Sequence, residues 1–371
     1  YWHGLELQNL TRPKARDEEK AWLQDVRDLQ FKIRYDADSG FIPALHTVYR
    51  RVVAFGNAFM FAEEADQFET AAMIYYRYMP LAESFISTDH RDVVNTFYRH
   101  YVLTAAQALA KFRDKCPQKV RLAAESTTDS QKEFVFIQCI QTRGDFGLPG
   151  QGVRKTPWAS FHVFHDDRSI IRESGYFEFP VIDFRWLPEP GMVYGEGPVM
   201  KCLADIQSLQ QLAKNELTAG EQAVKPTLLM ANTGVMNRPT TRPGAIVFGG
   251  MNSQGQRLVE PLFNGQRLDF ATMVLEAKRA QVKESMYLTL FQLLVQNPQM
   301  TATEALIRAK EKGELLGPAG SRFQMSLSRL VLREQGVLER RGLYDEDSDY
   351  ARPPSAQDRR IVPSMSSPLD R

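Results

Sequence analysis

The sequence predicts an α+β protein, and three observations support that fold class. Charged segments with helical periodicity come first and are followed by alternating or aromatic-rich runs, which are typical of antiparallel strands. Strands and helices do not alternate regularly along the 371 residues, which argues against a doubly wound nucleotide-binding fold. Two long amphipathic helix patterns, residues 197–224 and 268–291, bracket a shorter strand-rich segment.

The first half of the chain combines helices with a set of strands. Helical spacing covers residues 14–34 and 41–53, whereas residues 1–13 are too short to assign. Thr104 is a candidate N-cap for a short helix that ends at Phe112. Strands are predicted from Gly56 onward and over residues 72–77, 84–87, 93–101, 133–141, 158–165 and 176–186.

The two long helices are amphipathic. Pro198 suits the first position of a helix, because the N–H that it lacks has no intrahelical partner there, and Asp269 is a candidate N-cap of the second helix. Neither pattern is apolar all round, so neither predicts a membrane span or a deeply buried helix. Each helix therefore needs a partner surface, and the simplest ones are the other helix and its copies in neighbouring subunits.

The second half contains short strands and a third long helix. The strands are predicted at residues 228–231, 244–248 and 257–261. Asn297-Pro298 breaks the second long helix, and Thr301 or Thr303 is a candidate cap of the next one, which we expect to be interrupted or kinked around Gly317-Pro318. The sequence after Gly342 predicts a poorly ordered tail.

Composition narrows the function classes. A hydrophobic fraction of 43% and a charged fraction of 25% are ordinary for a folded protein. The 46 basic and 45 acidic residues almost cancel, which argues against a tight, sequence-independent grip on DNA but is compatible with a passage for DNA. The three cysteines predict reduced thiols in a cytosolic setting. We expect no export and no membrane insertion, and we expect the chain to be part of a longer protein.

The sequence offers little catalytic chemistry. It contains no Gly-x-x-x-x-Gly-Lys-Ser/Thr phosphate cradle, the glycines at 144–152 suit a surface loop, and Gly195 and Gly197 suit a helix entry. The best metal-like cluster is His162, His165, Asp166 and Asp167, but the two histidines of a strand would point to opposite faces. We therefore predict no catalytic residue, no cofactor and no metal, and a metal-dependent hydrolase using residues 162–167 is the alternative.

Three ordered motifs carry a resemblance to a known family. Tyr194-Gly-Glu-Gly-Pro-Val-Met-Lys-Cys-Leu-Ala-Asp-Ile-Gln-Ser-Leu resembles the signature of the head-to-tail connecting (portal) proteins of short-tailed, podovirus-type bacteriophages. Met300-Thr-Ala-Thr-Glu-Ala, followed by Leu316-Gly-Pro, is similar to the start of that family's long helix after the tunnel loop. Phe41-Ile-Pro-Ala-Leu-His-Thr-Val-Tyr resembles the family's N-terminal wing helix, and the similarity is colinear from about Trp2 to Leu369.

The resemblance implies a portal-type fold and an assembly role. It implies a twelve-fold ring at one capsid vertex of the virion, assembled in the host cytoplasm, through which double-stranded DNA is packaged and ejected. The implied partners are the terminase large subunit, the major capsid and scaffolding proteins and tail adaptors, with no membrane. The implied parts are a wing (1–196), a first stem helix (197–224), a clip (225–267), a second stem helix (268–291), a tunnel loop (292–300), a long wing helix leading toward the crown (301–342) and a C-terminal tail (343–371).

Candidate site residues follow from the resemblance, each with an alternative. Lys278, Arg279 and Lys283 are expected to face the DNA channel, or alternatively to form a solvated face with intersubunit ion pairs to Glu276 and Glu284. The tunnel loop would present Gln296 and Asn297 to DNA, unless it is only a connector between helices. Partner docking is expected at Arg238, Arg242, Asn252 and Gln254 of the clip, and ring self-assembly at Leu203, Ile206, Leu209, Phe270 and Met273.

A third class of function is another structural protein of the virion, such as a tail adaptor. Adaptors are usually smaller and lack two long helices that bracket a strand-rich lobe. That feature of residues 197–291 favours the portal interpretation.

Overall fold

The computed structural model describes most of the chain in two compact units. One unit, called the body, comprises residues 1–200 and 299–371, and the other, called the stem unit, comprises residues 201–298. The described residues are 3–8, 16–64, 72–126, 128–146, 155–224, 228–230, 251, 254–257, 259–261, 268–288, 302–357 and 359–365. Helices and antiparallel strands occur together, which confirms the α+β class.

A three-stranded antiparallel sheet lies at the centre of the body. Its order is β3 (Ile74–Met79), β2 (Asn57–Glu64) and β9 (Val181–Arg185). Helix α2 (Phe41–Phe55) packs on this sheet, because buried residues recur along it at spacings of three and four. Those residues, Phe41, Ala44, Val48 and Val52, share a core with Met60, Tyr76, Ile182 and Phe184 of the sheet.

The second sheet of the body has five antiparallel strands. They are arranged in sequence order as β4 (Ser84–Thr88), β5 (Val94–Thr104), β6 (Glu133–Thr142), β7 (Trp158–Phe164) and β8 (Ile170–Tyr176). Helices α3 (Ala105–Phe112) and α4 (Gln118–Glu125) pack on one face through Tyr101, Ala108, Phe112, Val120 and Phe136. Thr104 caps α3 as predicted, since its Oγ1 accepts from the Gln107 N–H at 3.3 Å.

A long helix joins the remaining parts of the body. Helix α8 (Ala302–Arg340) runs without interruption through Gly317 and Pro318, so the predicted interruption is wrong. A proline inside a helix costs about 3 kcal/mol. The C-terminal half of α8 offsets this cost by burying Leu330 and Val331 against the body core.

The chain ends are ordered where the structure describes them. Strand β1 (His3–Gln8) pairs antiparallel with β12 (Arg360–Met365), and both pack on α1 (Asp17–Arg34) and α8. The predictions of an unassigned segment at residues 1–13 and of a poorly ordered tail are therefore wrong for these residues. Apolar side chains explain the order, because Tyr344 and Ile361 share a buried core with Trp22.

Two further boundaries differ from the prediction. The strand predicted at residues 176–186 is the end of β8 and the whole of β9, separated by residues 177–180. Pro180 has no N–H to donate to a strand partner, which explains the break. The first long helix is split by a turn at the buried Cys202 into α5 (Pro198–Lys201) and α6 (Leu203–Val224).

The stem unit contains two packed helices and a strand pair. Helix α6 contacts α7 (Leu268–Ser285), and β10 (Leu228–Met230) pairs antiparallel with β11 (Val259–Pro261). These two strands confirm two of the three predicted between the helices. The third, at residues 244–248, lies outside the described residues, as do residues 292–300 of the expected tunnel loop.

Candidate functional site

The two stem helices pack through their half-buried faces. On α6, Ile206 and Leu209 are half-buried, as their apolar spacing predicts, and on α7, Leu275 is buried although the predicted apolar stripe did not include it. An ion pair joins the same two helices, since Lys278 Nζ lies 2.8 Å from Asp205 Oδ1. Lys278 also donates to Gln281 Oε1 at 3.2 Å. The amine of Lys278 is therefore engaged within the chain.

The predicted channel cations do not share one surface. Arg279 and Lys283 are exposed, and as residues four apart they lie on one face of α7, about 100° and about 140° around the helix from Lys278. Neither forms an ion pair with another described residue of the same chain. The alternative, ion pairs between subunits to Glu276 and Glu284, stays a prediction. Gln296 and Asn297 lie outside the described residues.

The predicted assembly residues also divide into two groups. Met273 is 72% exposed and Leu203 is 49% exposed, whereas Ile206 and Leu209 are half-buried in the stem unit. Phe270 lies on α7, but its side chain is not among those described. Leu217, which is 72% exposed on α6, has the same character as Met273 and was missed as a site residue, although the apolar stripe of α6 includes it.

The expected clip lies largely outside the described residues. Arg238, Arg242 and Asn252 are among the residues that are not described. Gln254 is exposed in a turn beside Gly255, whose φ of 77° is left-handed, and the turn is closed by a bridge between Met251 and Arg257. The described part of this segment is thus a short hairpin-like turn with a polar tip.

The glycines of the family-like motif have a structural role at the helix entry. A Cβ on Gly195 would lie 2.3 Å from the Trp186 carbonyl oxygen, and one on Gly197 would lie 2.6 Å from the Gly56 nitrogen. Asn57 holds the segment in place, because its Nδ2 donates to Gly195 O at 2.9 Å and its Oδ1 accepts from Gly195 N at 2.8 Å. Only glycine allows this approach of two backbones, which agrees with the interpretation as a helix entry rather than a phosphate site.

The histidine–aspartate cluster is not assembled as a metal site. His162 is buried, and its Nδ1 lies 3.1 Å from the Tyr101 hydroxyl. Burial, together with nearby cations, of which Lys111 contributes most, lowers the pKa of His162 to about 3, so its ring is neutral. Asp166 instead pairs with Lys119 at the surface. Within the described residues, no three His, Cys, Asp or Glu side chains are placed to hold a metal ion.

No helix in the described ranges is both long enough and apolar enough to cross a membrane.

Comparison with known proteins agrees with the architecture. The sequence profile of the family described as bacteriophage head to tail connecting protein matches residues 1–346. A probable portal protein of Bordetella phage BPP-1 is 31% identical over 313 residues, which cover 82% of this chain and 54% of that protein. A portal protein of Salmonella phage epsilon15 is 24% identical over 340 residues, which cover 89% of this chain and 59% of that protein. This chain thus spans between half and two thirds of the length of both relatives, and it belongs to the bacteriophage head-to-tail connecting protein family.

Proposed function

We propose that the chain is a portal protomer that assembles into a dodecameric ring at one capsid vertex. The ring would conduct double-stranded DNA during packaging and ejection. It would dock the terminase large subunit during packaging and tail proteins afterwards, and it would contact the major capsid and scaffolding proteins. Its mechanism is mechanical and electrostatic rather than catalytic, in keeping with a family of connectors.

The exposed apolar residues of the stem unit carry the assembly part of this proposal. Leu217 and Met273 are each 72% exposed on helices that otherwise pack through complementary faces. Covering large apolar side chains that are exposed to water contributes about 25 cal/mol of favourable free energy per Å² of apolar surface removed from water. Repeated contacts between neighbouring copies would cover them, and such head-to-tail contacts form a closed ring when the rotation between copies closes.

Arg279 and Lys283 are the residues that best fit the proposed channel wall. They are exposed on one face of α7, whereas Lys278 is held by Asp205 and positions the helix instead. Duplex DNA carries one phosphate charge per ~1.7 Å, so a wall with a few cations on a nearly neutral chain would let DNA slide. Gln296 and Asn297 would add polar contacts in the tunnel loop. Docking of partners is proposed at the clip residues Arg238, Arg242, Asn252 and Gln254.

Electron microscopy of the negatively stained protein tests the assembly. We expect rings with a central opening, and sedimentation should show the same species as one large oligomer. The variant Met273→Glu should lower the ring fraction at least tenfold. Gln281→Glu serves as the control, because it adds one negative charge at an exposed residue about 80° around α7 from Met273. Monomers under every condition would refute the proposed ring.

A phage-complementation assay tests the channel assignment. Arg279→Glu combined with Lys283→Glu should reduce DNA packaging or retention, because the acidic wall repels phosphates. Lys278→Gln should leave packaging near the wild-type level. If the double variant packages and retains DNA as well as the wild type, these two residues do not line the channel.

A further inference from the structure

The outer surface of α3, α4 and their connection is strongly basic. Between residues 111 and 121, five cations accompany a single carboxylate, that of Asp114. One of these cations pairs with Asp166, but Arg113 and Lys115 are exposed and form no ion pair with a described residue. We call this surface the basic face, and it consists of Lys111, Arg113, Lys115, Lys119 and Arg121.

Lys111 differs from the other cations of the basic face, because its amine packs against Tyr101 of the sheet. Lys111 Nζ lies 3.1 Å from the Tyr101 hydroxyl and 4.5 Å from the centroid of that ring, while Arg99 Cζ lies 4.6 Å from the same centroid. Although Lys111 as a residue is exposed, desolvation of its amine and the nearby Arg77 and Arg99 lower its pKa to about 8. Burial of the amine is the largest cause of this shift, so the charges that the basic face exposes without an ion pair to a described residue are those of Arg113 and Lys115.

An acidic surface borders a different hydrophobic core of the body. The exposed turn after α8 contains Asp345, Glu346, Asp347 and Asp349, and Asp349 lines a shallow depression with Asp25 and Asp28 of α1. Cations nearby include Arg27, which pairs with Asp28 at 2.7 Å, Lys32 in the depression, and Arg352, which pairs with Glu339. The remaining carboxylates give the surface a negative excess. We call these six carboxylates the acidic face.

The two faces lie on cores that share no residue. The basic face belongs to the helices that cover the five-stranded sheet, around Phe112 and Val120. The acidic face borders the core of Trp22, Leu338 and Tyr344, where the chain ends meet. No ion pair between described residues joins the two faces. Lys119 and Asp28 have partners within the body, but Arg113 and Lys115 on one face, and Asp345, Glu346 and Asp347 on the other, form no ion pair with a described residue, so their charges are available for another molecule.

We propose that the basic face of one copy binds the acidic face of the next copy, so that ring contacts are directed by charge. This inference rests on the proposed portal ring. A head-to-tail contact brings two different faces together, and these two are complementary in charge. Two basic faces or two acidic faces repel each other, so the same charges disfavour a two-fold pairing that would compete with ring closure.

Charge reversal on each face separately, followed by mixing, tests this contact. The first variant is Lys115→Glu with Lys119→Glu, and the second is Glu346→Lys with Asp347→Lys. The control for the first variant, Arg50→Glu with Lys155→Glu, makes the same change in net charge at exposed residues outside both faces. Native mass spectrometry and sedimentation would measure the protein concentration at half-assembly for each protein in 0.1 M and 1 M NaCl.

Each reversed variant alone should need at least about tenfold more protein for half-assembly in 0.1 M NaCl. The difference should shrink to within about twofold at 1 M, where the screening length falls from about 10 Å to about 3 Å. An equimolar mixture of the two variants should recover near-wild-type assembly in alternating rings, because each altered face then meets an opposite charge. The control should assemble like the wild type.

Three results would overturn the inference. If both variants assemble like the wild type, or if the mixture fails to recover while the wild type forms rings, the charged faces do not meet, and the portal proposal stands. If the wild type itself forms no oligomer under any condition, both the contact and the proposed ring are wrong.

Discussion

A buried ion pair between α1 and α8 gives the sharpest test of how the body is held together. Arg34 is fully buried, and Glu334 is 2% exposed. Arg34 Nε donates to Glu334 Oε1 at 3.0 Å, and Nη2 contacts the other carboxylate oxygen. The Tyr76 hydroxyl also donates to Oε1 at 2.6 Å, and Arg34 Nη1 lies 3.1 Å from His3 Nε2. The substitution Glu334→Gln removes the charge at nearly constant shape.

The expected loss is large because the partner cation stays buried. Breaking a buried ion pair by removing one charge costs about 3–5 kcal/mol. Tyr76→Phe, which removes only one hydrogen bond to a charged group, should cost about 1.5–3 kcal/mol. The double variant Arg34→Met with Glu334→Leu should be less destabilised than Glu334→Gln, since it leaves no isolated charge in the core.

Guanidinium unfolding at pH 7.5, followed by circular dichroism, measures these differences. Glu339→Gln is the matched control on the same helix, because the Glu339 side chain is 63% exposed and lies 3.6 Å from Arg352. An exposed pair of this kind contributes less than about 1 kcal/mol. If Glu334→Gln is no more destabilising than Glu339→Gln, the assignment of Glu334 as the essential counter-charge of Arg34 is wrong.

Three further predictions concern the glycine contact, pH and the stem. Gly56→Ala should lower the free energy of unfolding by more than about 3 kcal/mol, because its Cβ would lie 2.3 Å from a backbone carbonyl at a φ of 70°. Gly191→Ala, at a φ of 82° with no atom near its Cβ, should lower it by about 1 kcal/mol. Thermal unfolding measures both differences. His162 has a pKa of about 3 in the folded chain and about 6.5 when unfolded. Its contribution to the free energy of unfolding is therefore fully present above pH 6.5 and is lost as the pH falls toward 3. Urea titrations should show that His162 lowers the free energy of unfolding at pH 5 by about 2 kcal/mol relative to its value above pH 6.5. The His162→Gln variant should lack this loss, and a variant with the same pH dependence as the wild type would contradict the prediction. Lys278→Gln should lower the stability of the stem helices by less than about 1 kcal/mol, and Lys283→Gln should not change it. Hydrogen exchange measures both differences. Equal effects of the two variants would contradict the assigned ion pair between Lys278 and Asp205.

Elements with a strong repeating pattern could be predicted from the sequence. The spacing of Phe41, Val48 and Val52 and the cap at Thr104 depend on neighbours within a few residues, and both predictions are confirmed. Strands β2 to β7 were also predicted, whereas β1, β12 and all of β8 except its last residue were not, and the break before β9 was missed. Local patterns determine such elements because one buried face and one cap suffice to specify them.

Contacts between distant parts of the chain could not be predicted. The tail appeared unstructured because Asp345-Glu-Asp and Pro353-Pro354 are locally polar and turn-forming, yet Tyr344 and Ile361 supply apolar anchors to a core that α1 completes. Likewise, the sequence grouped Lys278 with Lys283, although they are five apart and therefore not on one helix face. The carboxylate of Asp205, 73 residues away, decides which of them is engaged.

The motif that carried the family resemblance specifies backbone geometry rather than chemistry. Gly195 and Gly197 are required because a Cβ on Gly195 would lie 2.3 Å from the Trp186 carbonyl oxygen and one on Gly197 would lie 2.6 Å from the Gly56 nitrogen. Asn57 fixes that approach of the two segments before α5 begins. Such a motif identifies the fold reliably, since a side chain there would separate the two segments. It says nothing about which exposed side chains meet DNA or a neighbouring copy. Those surfaces depend on charge and exposure, which vary without disturbing the backbone, and so charge reversal followed by mixing addresses the ring contact that the motif leaves open.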